Sequence, residues 1–202
     1  MAEQGVVCVA YGDKAVAEAG AMIASLKERH DWPVLAMADG PVAGADVVWR
    51  FDEPGWGARR AKLHQDRVVP WQKWLYLDAD TRVRGDLSVG FRILDDGWDL
   101  AITASQHQEE NWLWTASAEE RSETERPCRL VSIQGGAFFA RKSRRTSAFF
   151  EAWRQEWARW ATVDQGALVR ALQASPVRLW LLGRDFNGGA VVEHLFGRAV
   201  ER

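Results

Sequence analysis

Residues 73–83 read KWLYLDADTRV, an apolar run (Trp74, Leu75, Tyr76, Leu77) that stops at two aspartates, Asp78 and Asp80. The run has the composition of a buried strand. Alternate strand residues share a face, so the two carboxylates are expected to point the same way. Like charges that close repel, and each favours protonation of the other unless a cation or hydrogen-bond donors stand between them. The stretch therefore asks what positive group belongs at the end of this strand.

Working outward, similar runs alternate with helix-like segments. GVVCVAY (5–11) reads as a strand, and the segment 13–30 carries Ala19, Met22, Ile23 and Leu26 at helical spacing. PVLAMAD (33–39) and ADVVWRF (45–51) read as two more strands, and GARRAKLHQDRVV (57–69) as a helix. Strands alternating with helices predict an α/β fold, and continuous apolar runs predict a largely parallel sheet covered on both faces. Ligands of such sheets bind beyond the carboxyl ends of the strands. Asp39, Asp78 and Asp80 fall at such ends, and Tyr11 closes the first strand.

The second half is less regular. WDLAITA (98–104) reads as a strand, whereas residues 105–127 are polar, acidic and without apolar periodicity, as expected of a functional loop or mobile segment. VSIQGGAFFARK (131–142) is a strand with a double glycine. Phe149, Phe150, Trp153, Trp157 and Trp160 form a helical stripe whose size calls for burial. A helix is predicted over 162–174 and a last strand at VRLWLL (177–182). No repeat or linker divides the chain, so one domain over 1–202 is expected.

Composition is that of an ordinary globular protein, with 47% apolar and 27% charged residues. A net charge of -2 offers no general attraction for nucleic acid. There is no basic leader at the start and no window near the roughly 18 apolar residues of a membrane span; a cytoplasmic protein is expected. Cys8 and Cys128 suggest neither a disulfide framework nor a zinc set.

A divalent cation would resolve the repulsion between Asp78 and Asp80. Magnesium or manganese held by one or two carboxylates usually gains its other ligands from substrate phosphates, where it acts as a Lewis acid. The alternative is that the two aspartates merely open a polar turn.

LYLDADTRVRGDL (75–87) resembles the DxD strand of GT-A glycosyltransferases, especially the retaining, family 8-like enzymes that use nucleotide-diphosphate sugars. The resemblance implies a single, Rossmann-like GT-A domain with a mostly parallel sheet flanked by helices. It implies Mn2+ (or Mg2+) held by Asp78, Asp80 and His194, the histidine coming from EHLFGR (193–198). It places Tyr11 against the nucleobase, and Arg59 and Lys62 toward the donor. Gly135 and Gly136 fall beside the donor sugar, and Asp164 and Gln165 at the sugar and reaction centre. Gly197 and Arg198 take the phosphate side. A UDP-sugar donor, a carbohydrate, lipid or protein acceptor, and retention of configuration follow as expectations. The chain departs from the pattern in ending GRAVER where the family has a lysine and then Pro-Trp, and in carrying Gln134 where an asparagine is common. It is also short, which implies reduced acceptor-binding additions.

The residues themselves leave alternatives. Arg59 and Lys62, one helical turn apart, also suit a solvated helix face, and Arg60 between them suits it better. The two glycines also suit a β-bulge, and Asp164 a helix N-terminal carboxylate. Trp112 and Trp114 would cover a donor or acceptor sugar, or pack the 105–127 loop onto the body. His30 and His64 read as surface residues, His107 as a loop residue, and Asp99 has no special claim. Two other functions fit a DxD strand: a phosphatase of the haloacid-dehalogenase type, disfavoured by Arg82 where that motif continues with Thr or Val, and a non-catalytic nucleotide-sugar-binding or scaffold protein.

Overall fold

A computed structural model describes residues 2–51, 55–105, 116–125, 133–161 and 164–196. Its centre is a seven-stranded sheet. In chain order the elements are β1 (Gln4–Ala10), α1 (Asp13–Lys27), β2 (Val34–Ala38), β3 (Val47–Trp49), α2 (Ala58–Lys62), α3 (Gln65–Val68) and β4 (Lys73–Asp78). There follow β5 (Thr81–Val83), α4 (Ser88–Asp95), β6 (Leu100–Ala104), α5 (Ala118–Glu125) and β7 (Ile133–Arg141). The last are α6 (Arg144–Trp160), α7 (Asp164–Ala174), β8 (Leu179–Leu182), a 3-10 turn (Arg184–Phe186) and β9 (Val192–His194).

The strand order is β3-β2-β1-β4-β7-β6-β8, and β5 pairs with β9 in a separate two-stranded ribbon. Within the seven-stranded sheet pairing is parallel except along β7, which runs antiparallel to both β4 and β6; the β5–β9 ribbon is antiparallel. The sheet is thus mostly parallel, as expected, with one reversed strand in its middle.

Alternation sorts each strand onto two cores. Val6, Cys8, Ala10, Leu75, Leu77 and Phe139 face α1 and α4, meeting Met22, Ile23, Leu26 and Phe91. Val7, Val9, Trp74, Tyr76, Phe138 and Ile102 face α6 and α7, meeting Phe149, Phe150, Trp153 and Leu168. Burial on both faces is why these strands read as unbroken apolar runs. Cys8 is buried in β1, and burial pushes its thiol pKa up to about 12. Helix α6 starts at Ser143, whose hydroxyl accepts the Thr146 N–H at 3.1 Å, and ends at Ala161 in the left-handed region (φ 53).

Several local expectations need correction. The helix expected over 57–69 is two short helices, broken at Leu63–His64. The strand expected over 45–51 is three residues long and only half covered, because β3 is the sheet's edge. Part of 105–127 is helical: α5 is held by the buried Glu120 and Thr124, which bond Arg170 of α7 at 3.2 and 2.6 Å. Of the aromatic stripe, Phe149, Phe150 and Trp153 are core, while Trp157 and Trp160 are only half-buried. Helix α4 and strand β9 went unread. Trp112, Trp114, His107 and Cys128 lie outside the described residues. Among the described residues, no helix is long and apolar enough to cross a membrane.

Candidate active site

Asp78 ends β4 and Asp80 sits in the two-residue turn before β5. The two carboxylates therefore converge through a turn, not through strand alternation as the spacing suggested. Thr81 Oγ1 closes that turn by donating to the Asp78 carbonyl at 2.7 Å. Because β5 pairs with β9, with Thr81 opposite His194, the imidazole is carried to the same place. Ligand atoms of Asp78, Asp80 and His194 all lie within 4.8 Å of one another. His194 Nε2 is 3.2 Å from Asp80 Oδ1 and 3.9 Å from Asp78 Oδ2.

The other oxygen of Asp78 looks the opposite way. Asp78 Oδ1 accepts from the Tyr76 hydroxyl at 2.5 Å and from Lys62 Nζ at 3.2 Å. Lys62 is buried, against the solvated-face alternative, and its ammonium also lies 3.2 Å from Asp164 Oδ2 and over the Tyr76 ring. Burial alone would lower the Lys62 pKa, yet Asp78 and Asp164 hold it above the ordinary lysine value. Burial would raise the Asp164 pKa, but Lys62 and then Arg59 hold it below the usual carboxylate range. Burial, reinforced by Asp78, pushes the Tyr76 phenol well above its ordinary value, so it donates as a neutral hydroxyl.

Between these groups opens a cleft of about 210 Å³ lined by Val9, Ala58, Arg59, Lys62, Tyr76, Asp78 and Asp164. Asp164 is the first residue of α7, as its helix-terminus reading required, and it also lines the cleft. Its place is set by Trp153, whose indole N–H donates to the Asp164 carbonyl at 3.0 Å. Gln165 follows it on α7.

The double glycine lies in a β-bulge, one of its two readings. Pairing of β6 with β7 jumps from Ile102–Phe138 to Thr103–Gln134, a bulge that spans Gly135 and Gly136. A Cβ on Gly136 would overlap His194 and the Asp78 carboxylate, so only glycine leaves room for the cluster. A Cβ on Gly135 would touch Leu168 at 3.4 Å and Lys62 Nζ at 3.5 Å.

Tyr11 follows β1, and its hydroxyl is buried without a hydrogen-bond partner. Burial and then Asp39 raise its pKa. Asp39 accepts the Gly12 N–H at 2.9 Å, which ties the loop after β1 to the end of β2. Arg60 rests 4.4 Å from the centre of the Trp56 ring, which stacks on Phe51 and meets His64 edge-on. His64 is thus part of a half-buried aromatic cluster rather than a surface residue, and burial lowers its pKa. His30 is likewise mostly buried, stacked on Trp32. Gly197 and Arg198 lie outside the described residues.

Two residues carried no sequence signal. Asn187 Oδ1 lies 2.7 Å from His194 Nδ1. Asp99 is fully buried just before β6, at the end of the strands opposite Asp78, where it accepts from Arg145 at 2.5 Å, Ser143 at 2.9 Å and the Arg178 backbone at 3.1 Å. Burial opposes its ionisation, but these donors, Arg145 foremost, hold its pKa below the usual range.

Two carboxylates and an imidazole suit a manganese-like ion, which accepts nitrogen as well as oxygen ligands, and Gly136 leaves the cradle open; the residues fit such a group.

No family model and no curated protein matches the chain. Solved structures do resemble it. The bifunctional glycosyltransferase WbbM matches with a TM-score of 0.64 and 15% identity, over 90% of this chain and 39% of that one. The glycosyltransferase GlyE of Streptococcus pneumoniae TIGR4 matches at 0.66 and 16%, over 93% and 47%. The galactosyltransferase LgtC, solved with donor and acceptor sugar analogs, matches at 0.57 and 12%, over 89% and 73%. The chain thus spans less than half the length of the first two. The likeness is one of fold, and that fold is the α/β, GT-A type.

Proposed function

We propose that this chain is a glycosyltransferase of the family 8-like kind, moving a sugar from a nucleotide-diphosphate donor, a UDP-sugar, to an acceptor hydroxyl with retention. The observation that supports it best is the meeting of Asp78, Asp80 and His194 beside a cleft floored by Lys62 and Asp164. These three residues would hold Mn2+ or Mg2+, which when bound supplies positive charge to a departing diphosphate.

The chain's own residues then divide the work. Lys62 is a fixed cation at the cleft floor. It holds the Asp164 pKa below its usual range, and aims Asp78 Oδ2 toward Asp80 and His194 by occupying Oδ1. Asp164, an ionised acceptor lining the cleft, is suited to orient a sugar hydroxyl, with Gln165 beside it. Gly135 and Gly136 let a sugar approach the backbone, Tyr11 takes the nucleobase, and Arg59 meets the diphosphate or sugar hydroxyls at the cleft mouth. Gly197 and Arg198 are proposed for the phosphates from sequence alone. A cytoplasmic site of action and a carbohydrate, lipid or protein acceptor belong to the same reading.

The test is a donor-hydrolysis panel of nucleotide sugars with and without manganese. Manganese-dependent hydrolysis of one donor supports the proposal. Binding without turnover of any donor points instead to a non-catalytic nucleotide-sugar-binding protein, and neither binding nor turnover contradicts both.

A further inference from the structure

We propose that Asn187 is a positioning residue that selects the tautomer of His194, an inference that rests on the ion-binding reading of the Asp78–Asp80–His194 cluster. An amide oxygen only accepts hydrogen bonds. With Asn187 Oδ1 2.7 Å from Nδ1, the imidazole proton belongs on Nδ1, and Nε2 is left with its lone pair facing Asp78 and Asp80. The competing tautomer would place a proton on Nε2, 3.2 Å from Asp80 Oδ1. The histidine would then donate to the carboxylate it should share an ion with, and both ligands would be spent on each other. Metal-binding histidines generally have their second nitrogen fixed by such a partner.

The fold builds this contact deliberately. Asn187 is 2% exposed and follows the 3-10 turn, its N–H donating to the Arg184 carbonyl at 3.0 Å. Gly188 (φ 98) then reverses the chain, and the Gly188 and Gly189 N–H groups donate to the Val192 carbonyl at 2.8 and 3.1 Å. Phe186 anchors the turn edge-on against Phe139. On the other side, Phe196 stacks on the imidazole at 4.1 Å between ring centres, and the Leu195 N–H donates to the Asp80 carbonyl at 2.9 Å. The ring plane is thus set by Phe196 and the proton by Asn187.

The experiment is nitrogen-15 NMR of the histidine rings in metal-free protein, well above the ordinary imidazole pKa, paired with calorimetric Mn2+ binding. The sequence has four histidines, and His194→Gln identifies the His194 signals. Wild type should show a protonated Nδ1 and a bare Nε2. Asn187→Leu should move the proton to Nε2 and weaken Mn2+ binding about tenfold or more, while Asn187→Asp, which keeps an acceptor oxygen, should retain both wild-type properties. A wild-type Nε2-protonated ring overturns the proposal, as does an Asn187→Leu protein of unchanged melting temperature that binds Mn2+ as wild type does. If Asn187→Leu does not fold, the wild-type tautomer and the Asn187→Asp protein decide the matter. The Nδ1 tautomer in a wild-type protein that binds no Mn2+ overturns the ion reading and leaves the tautomer assignment standing.

Discussion

Lys62 Nζ stands 3.2 Å from Asp78 Oδ1, and this contact turns the remaining Asp78 oxygen toward His194. A cation buried in the floor of the cleft thus orients an anion that faces a second, ion-sized gap. Removing the cation should disturb both.

Lys62→Met leaves Asp78 and Asp164 without the charge between them. The loss should be about 1–3 kcal/mol by urea denaturation, less than for a fully buried pair because both carboxylates keep some solvent. The pH window follows from the shifts. Asp164 is lowered, so its contribution is present above the unfolded value of about 3.9 and lost as pH falls through the folded one. Lys62 is raised, so its contribution is present below about 10.4 and lost as pH rises through the folded value. The difference between wild type and variant should be flat between these limits and shrink in acid.

Gly136→Ala puts a methyl group into His194 and Asp78. The side chains must move, so Mn2+ affinity measured by calorimetry should fall by about tenfold or more, with a lower melting temperature. Unchanged affinity would mean that the cluster is not where the ion binds.

Trp153→Phe keeps most of the buried ring but removes the indole donor to the Asp164 carbonyl. A cost of about 1–3 kcal/mol is expected from the unsatisfied carbonyl and the void. Donor turnover should fall as well, because the first turn of α7 carries Asp164 into the cleft.

Asp99→Asn tests the opposite end of the strands. The folded pKa of Asp99 is depressed, so its stabilisation is present above about 3.9 and disappears as pH falls through the folded value. The variant should have a lower denaturation midpoint at neutral pH, converge on wild type in acid, and bind Mn2+ normally.

The strands were legible because burial on both faces leaves an unbroken apolar run, and the candidate ligands because LYLDADTRVRGDL and EHLFGR resemble the DxD and His-x-x-Gly segments of family 8-like enzymes. What escaped depends on distant partners. Lys62 reads as a donor-side cation, but its ion pairs with Asp78 and Asp164 were not foreseen, since nothing local announces carboxylates arriving from β4 and α7. Asn187 sits in DFNGG, which reads as a plain turn, and only the β5–β9 ribbon brings His194 to it. Strand β9 has three residues, too few for a period to show. Helix α4 hides Phe91 and Leu94 among glycines and charges. Trp157 and Trp160 share the stripe of Trp153 but are only half-buried, Trp157 packing on the margin of the core.

The most direct test of the account is thermal denaturation of wild type and Asp80→Ala with UDP, with manganese, and with both. Specific binding must stabilise the folded state. Wild type should melt distinctly higher with the two together than with either alone, and Asp80→Ala should lose that joint shift while keeping its ligand-free melting temperature near wild type. An equal UDP shift in chelator, or an undiminished joint shift in Asp80→Ala, would contradict an ion gripped by this pair of carboxylates.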